Sequence, residues 1–582
     1  VLDALVPGEE GLMYRKLGLR FFSIAISLVT VLAVFLSACA VQGQPVSQQA
    51  SSNGKPVQGG TWIDDMPAVP TSLLPLGAST VYANIIDQAL YTPILYGDSK
   101  GQVHPGLLKE IPTVENGDVS PDFRTFTFKL RPNLQWSDGQ PLTAEDLDYT
   151  WKLDQNPDFG ALFTSGFDHI KSADVSSDKL SITYHLTSAY APFISNFVDA
   201  LSGSPLPKHH FQSMKAGDIL KSSDNLFPKV VSGPFMVQDS NPGQQFTFVP
   251  NPKYYRASEG LPHLAKLVYN VGVSSDTILN SVKAGSITAS WNLDIAKLPT
   301  YRTISGYQVV NPMAGGYEGL FFNFKNPVLS DNNVRKAIVM GLNRQEIHDS
   351  IKPGIGTLLC IDVPPSLPVG YDANAPCPQY DAAAANQLLD QSGWKEGSDG
   401  IRVKNGQKLE FPLSTLSSYL WRVNSVTFIQ SQLKNIGVQA DIQNYPSSTL
   451  FSEILPQGNP STYGISEFGF DFSYDPDDSA TLACNQIPSQ ANGFGGENYS
   501  FYCNKQLDVL LDKELSTLDN TVRSDTFKQI HAIQLSVLPY IGLYDSAHPA
   551  VAKSTTHNYT PGPMGGEEAI NVWDWWCTDG KC

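Results

Sequence analysis

Short runs in which every second position is apolar recur along the chain: Phe126/Phe128/Leu130, Ile182/Tyr184/Leu186, Phe246/Phe248 and Leu409/Phe411/Leu413. A two-residue period lays one face of a strand on a core, so each run predicts a half-buried strand. Elsewhere the period lengthens. Val426, Ile429, Leu433 and Ile436 recur at helical spacing, and Gly437 closes that run. Thr143 followed by Asp146 is a capping box that opens a helix through Leu147 and Trp151. Asp381 opens another from Ala382 to Asp390, stopped by Gly393. No short internal repeat is present, and beyond residue 59 no stretch is long or polar enough to be a domain linker. The pattern predicts one α/β assembly whose lobes are interleaved in sequence.

One segment follows a different rule. Arg15, Lys16 and Arg20 precede an unbroken apolar run from Phe21 to Phe35, followed by Leu36-Ser37-Ala38-Cys39. A charged start, a run of this length and small residues before a break describe a signal peptide over residues 1–38. Cysteine directly after Leu-Ser-Ala resembles the bacterial lipobox, which implies that Cys39 is acylated and becomes the first residue of the mature chain. The rival is an uncleaved anchor helix, since Phe21 to Val41 is long enough to cross a thin bilayer when tilted. The Gln-, Ser- and Gly-rich stretch 39–58 that follows suits a flexible tether. Residues 1–12 lie upstream of Met13 and read as a mis-placed start.

Composition narrows the setting. Charged residues are only 16% of the chain, against roughly a quarter in an average soluble protein. Lys and Arg number 39 against 56 Asp and Glu, a net charge of −17 that lacks the basic footprint needed for nucleic acid. Removing Cys39 from seven cysteines leaves Cys360/Cys377, Cys484/Cys503 and Cys577/Cys582. Six cysteines allow fifteen pairings, and this clustering favours three local disulfides in an oxidising compartment. Zinc is the alternative, but no Cys-x-x-Cys occurs and the histidines are scattered, so neither metal nor cofactor is expected.

The stretch from Arg131 to Asp146, with Trp136, Asp138-Gly139 and Thr143, resembles the peptide/nickel-type (family 5) solute-binding proteins of ABC importers. Further matches follow in that family's order: Gly59-Gly60-Thr61 with Leu74-Pro75, Ser232-Gly233-Pro234-Phe235, and Asn251 to Tyr255. Phe322-Asn323, Val334-Arg335-Lys336-Ala337, Asn343-Arg344, Tyr380-Asp381, Ser392-Gly393-Trp394, Leu507-Asp508, Arg523 and Pro539-Tyr540-Ile541 continue it. Most of these residues have a structural meaning: Asp138-Gly139 reads as a turn, Gly233-Pro234 as a bend between strands, and Arg335 as an ion-pair partner.

The resemblance implies a bilobed periplasmic-binding-protein-like α/β fold (class II type) with an additional small β-rich domain inserted in the first lobe. It places the first lobe at 59–90, 205–312 and 546–582, the inserted domain at 91–204 and the second lobe at 313–545. It implies a receptor, without catalytic residues, on the outer face of the cytoplasmic membrane. That receptor would be a lipid-anchored monomer delivering a small solute to permease subunits and their ATPases. An oligopeptide or dipeptide is the first expectation; an oligosaccharide, an organic cation and a nickel chelate are the alternatives.

In peptide-binding relatives an aspartate in a Gly-Trp-x-x-Asp-Tyr stretch pairs with the ligand ammonium. Here the stretch runs Gly469-Phe470-Asp471-Phe472-Ser473-Tyr474, with Ser473 where the aspartate belongs. A hydroxyl cannot replace that charge-assisted bond. Asp471 substitutes only if it faces the cleft, and on a strand it lies opposite Phe470 and Phe472. Glu467 occupies a position where some relatives carry a cation, and is otherwise a solvated surface acid. Trp291, Tyr317, Trp421, Phe470 and Tyr474 are the aromatic candidates, suited to peptide side chains, sugars or organic cations, with core packing as the alternative for each. Two other classes stay open. A lipid-anchored hydrolase would be expected to show a Gly-x-Ser-x-Gly elbow or a His-Glu-x-x-His helix, and neither is present. Asp475, Asp477 and Asp478 lack the Gly and Glu of a calcium-binding EF-hand loop. An adhesion or scaffold lipoprotein would bind no solute at all.

Overall fold

The computed structural model describes residues 54–77, 80–161 and 166–582. The signal peptide and tether expected from the sequence, with Cys39 between them, lie outside these residues as far as residue 53. Gln58 is already fastened to the body, donating from Nε2 to the Gly260 carbonyl at 2.6 Å.

Two large sheets carry the two lobes. The first has seven strands, in the order Tyr307–Val310, Ala550–Lys553, Ala289–Ser290, Thr61–Met66, Lys266–Val271, Gln245–Pro250 and Phe235–Asn241. Three separate stretches of chain build it, so no continuous segment folds this sheet alone. Thr61–Met66 lies near its middle, parallel to both neighbours, with Asp64 opposite Ala289 and Thr61 opposite Lys266.

The second sheet runs Gln439–Ile442, Glu410–Thr415, Ile465–Asp471, Gly316–Phe322 and Tyr540–Asp545. Every residue of Gly316–Phe322 is buried, because packing covers both faces of this central strand. On one face the helix Leu420–Lys434 sets Val426, Ile429 and Leu433 against Leu320, Phe411, Leu413 and Ile465. Each such side chain contributes about 1.5–3 kcal/mol when fully buried. The spacing that predicts this helix misses its first two turns, where Leu420, Trp421 and Arg422 break the apolar stripe. The other face carries an aromatic layer in which Phe321 stacks on Phe468 at 4.1 Å between ring centres.

A third, antiparallel sheet of Thr125–Lys129, Ser181–Leu186 and Ile170–Val175 shows the alternating burial its period predicts. The helix Ala144–Asp154 beside it carries the full capping box, with the Asp146 carboxylate accepting from the Thr143 backbone at 2.8 Å. This sheet shares one continuous core with the first lobe. The helix Ala382–Gln391 is capped by Asp381, and Gly393 follows with a positive φ of 85°.

Disulfides join Cys360 to Cys377, Cys484 to Cys503 and Cys577 to Cys582, with Cα separations of 5.6, 4.7 and 5.3 Å. One expectation is corrected. Arg335 makes no ion pair among the described residues; it donates to the Leu329, Ser330 and Val537 carbonyls and to Asn332, and lies 3.9 Å from the centre of the Phe324 ring. It is a buried clamp on two stretches of backbone.

Candidate ligand site between the lobes

The helix Leu420–Lys434 begins without a side-chain cap and places Arg422 in its first turn, where the helix dipole opposes a cation. Tertiary contacts compensate. Arg422 donates to the Glu318 carboxylate at 2.5 Å, and its guanidinium lies 4.9 and 4.8 Å from the Tyr419 and Trp421 ring centres. Lys352 reaches the same place, 5.0 Å from the Trp421 ring and 4.9 Å from the Tyr544 ring, and donates to the Asp545 carbonyl at 3.0 Å.

Glu467 lies beneath these cations, fully buried, and accepts from the Tyr544 hydroxyl at 3.2 Å. Burial, reinforced by the neighbouring Glu318, pushes its carboxyl up to about 8. The reading of Glu467 as a solvated surface acid is therefore corrected. Strand register explains the group: Glu318 pairs with Gly469 and Tyr544, and Leu320 with Glu467, so Glu318, Glu467 and Tyr544 share one face of the sheet.

The first lobe faces this cluster with Tyr82, Trp291, Asn292 and His548. The Trp291 and His548 rings lie 4.9 Å apart, and Asn292 donates to the Tyr82 hydroxyl at 3.0 Å. Burial holds the His548 imidazole down at about 4, with Asp471 opposing that effect and Lys352 and Arg422 adding to it. The two halves thus sense each other electrostatically. At their edge the exposed Asp471 accepts from Ser546 at 2.7 Å.

Several buried polar atoms here have no hydrogen-bond partner in the protein: Trp291 Nε1 and His548 Nε2 from one side, Arg422 Nε, Glu318 Oε2 and Glu467 Oε2 from the other. A buried donor or acceptor left unpaired costs about 1–3 kcal/mol, which makes this group a candidate for contacts with a polar ligand.

Of the residues singled out in the sequence, Trp291, Trp421, Glu467 and Asp471 come together here. Tyr317 and Phe470 do not. They lie in the aromatic layer on the opposite face of the sheet, 6.4 Å apart and beside Phe321. Ser473 is exposed and donates to the Asp475 carbonyl at 2.7 Å. Tyr474 crosses to the first lobe, donating to Glu567 at 2.7 Å. Its ring fills the space over Gly97, where an added Cβ would lie 1.8 Å from the hydroxyl. Arg422, Lys352, Glu318, His548, Tyr82 and Asn292 escape sequence reading. Only Arg422 carries a local signal: a cation at a helix start with no acid within the helix to pair it.

Residues 102–486 match the family model described as bacterial extracellular solute-binding proteins, family 5 middle. The chain belongs to this family. The oligopeptide-binding protein AppA of Bacillus subtilis is 26% identical over 558 residues, covering 95% of this chain and 98% of its own. Among solved structures, the oligopeptide-binding protein AppA from Bacillus subtilis in complex with a nonapeptide superposes with a TM-score of 0.71 at 24% identity, covering 90% of this chain and all of the other. NikZ from Campylobacter jejuni in complex with Ni(L-His) gives 0.72 at 21% identity, covering 88% and 99%. These likenesses show the bilobed α/β fold. As a family 5 protein the chain has the role of a solute-binding receptor of an ABC importer.

Proposed function

We propose that this receptor is anchored by lipid at Cys39, acts as a monomer, and captures an oligopeptide between its lobes for delivery to a membrane permease. The observation that carries the ligand class is the set of buried, unpartnered donors and acceptors supplied by both lobes: Trp291 and His548 on one, Arg422, Glu318 and Glu467 on the other. A peptide backbone offers amide donors and carbonyl acceptors in alternation, which suits such a mixed set. Lys352 and Asp471 both act on His548 at this cluster, so each end of a zwitterionic ligand has a countercharge there. The full-length likeness to an oligopeptide-binding protein points the same way.

Closure brings the halves together about the crossovers near Met313 and Ser546, and the Tyr474–Glu567 bond then fastens the second lobe to the first. The test is thermal melting of the purified protein against a peptide library, with sugar and nickel-chelate arms. The expected result is a midpoint that rises with peptide concentration while the peptide mass stays unchanged. Stabilisation by the sugar or chelate arm alone would overturn the ligand class. Hydrolysis of the peptides by homogeneous protein would overturn the receptor role.

A further inference from the structure

We propose that Asp362, Asp478 and His531 form a buried binding site for a zinc-type divalent cation in the second lobe. The three side chains come from distant parts of the chain. Asp362 lies just beyond Cys360, Asp478 follows the Tyr474–Pro476 turn, and His531 projects from the helix Asn520–Val537. Their ligand atoms all lie within 4.8 Å of one another, and the residues are 0%, 1% and 1% exposed.

Two observations separate this group from an ordinary ion pair. His531 Nε2 approaches Asp362 Oδ1 to 3.2 Å, and neither ring nitrogen makes a well-aligned hydrogen bond. Two ligands about 2.0–2.1 Å from one tetrahedral zinc stand about 3.3 Å apart. The second observation is Asp478, whose two buried carboxylate oxygens accept no hydrogen bond from an N–H or hydroxyl group among the described residues; they face the Asp362 carboxyl, with which they can bond only by sharing a proton.

Among the described residues no lysine or arginine pairs with the group, and His531 is its one cation-forming side chain. The nearby guanidinium of Arg523 pairs with Asp475 and Glu514 instead. The other charges acting on Asp478, from Asp362, Asp477 and Glu514, are all negative. Two ionised carboxylates buried beside a single imidazole would cost several kcal/mol per uncompensated charge, a cost removed either by a proton held on Asp478, whose carboxyl burial pushes up, or by a divalent cation.

Outer contacts complete the arrangement. Tyr540 donates its hydroxyl to Asp362 Oδ2, and the Val363 amide donates to Asp362 Oδ1 at 3.0 Å, fixing the carboxylate as supporting partners do around metal ligands. One nitrogen and two oxygen donors suit zinc, which accepts imidazole and carboxylate together, better than magnesium or calcium, which prefer oxygen alone. Bound there, the metal would tie the segment carrying Ser473 and Tyr474 to the helix Asn520–Val537. This site is distinct from the ligand cluster and does not depend on the solute's identity.

The test uses full-length protein stripped with a chelator and reloaded with zinc, assayed by elemental mass spectrometry after gel filtration. About one zinc per chain should be retained, the melting midpoint should rise on reloading, and Asp478→Asn should lose both effects. Cobalt titrated into the wild type should give the strong visible bands of a tetrahedral site, a readout that holds even if a variant fails to fold. Wild type that retains no zinc and shows neither a midpoint shift nor cobalt bands would overturn the proposal. So would zinc retained equally by Asp478→Asn. The proposal also fails if Asp478→Asn matches zinc-loaded wild type in stability, as expected were Asp362 and Asp478 merely sharing a proton.

Discussion

Glu318 and Glu467 lie on the same face of the second-lobe sheet, and a single guanidinium, that of Arg422, serves both: it bonds Glu318 directly and acts on Glu467 through space. Removing it leaves two buried carboxylates beside each other. Arg422→Met should therefore cost about 3–5 kcal/mol of folding stability in urea titration. Arg422→Lys should recover only part, since an ammonium cannot keep both the Glu318 bond and the stack on Trp421. A loss within about 0.5 kcal/mol of zero would show that the pair is not buried in solution.

Glu467 also fixes a pH dependence. Its carboxyl is raised from 4.5 to about 8 in the folded protein. Between those values the unfolded chain has released a proton that the folded chain still holds. The contribution is complete below pH 4.5 and is lost as pH rises towards 8, with an upper limit of roughly 5 kcal/mol at 1.36 kcal/mol per pKa unit. Glu467→Gln should flatten the stability profile across that window, measured by denaturant unfolding at several pH values. An unchanged slope would mean that Glu467 is ionised in the fold.

Tyr474→Phe removes the hydroxyl that reaches Glu567 across the lobes. The expected loss is about 1 kcal/mol, or roughly fivefold in ligand affinity by calorimetry, with no change in ligand preference. Gly97→Ala should do more, because the new Cβ overlaps the Tyr474 ring. Wild-type affinity in both variants would show that this contact plays no part in closure.

Ser473→Asp should strengthen binding of peptides with a free amine relative to N-acetylated ones, because it restores a carboxylate where peptide-binding relatives carry one. Calorimetry on matched peptide pairs checks this. An unchanged ratio would leave Asp471, held by Ser546, as the anchoring carboxylate.

Local elements are legible in the sequence because their causes are local. The Thr143–Asp146 capping box, the Asp381 cap and the alternating strands at Phe126 and Ile182 all form as their spacing predicts. The site is legible only in part. Trp291 and Trp421 are picked out as aromatic candidates, but Glu467 also reads as a solvent-facing acid, since its burial depends on a helix and two strands distant in sequence. Tyr317 and Phe470 carry the same residue chemistry as the cleft aromatics, and only strand direction sends them to the other face. Asp362 and His531 are invisible for the same reason, and Asp478 stands out only beside Asp475 and Asp477: 116 residues separate Asp362 from Asp478, and no motif links them.

Trp291→Phe offers the most direct measurement, because it separates ligand recognition from folding. It deletes a buried indole N–H that has no partner in the protein and keeps the aromatic contact with His548. Native mass spectrometry of protein isolated from cells without denaturation should find one unaltered peptide per wild-type chain. It should find clearly lower occupancy in Trp291→Phe, whose unliganded melting midpoint equals or exceeds that of the wild type. Equal occupancy in the two proteins, or wild type that carries no peptide and takes none up, would contradict a peptide site between the lobes.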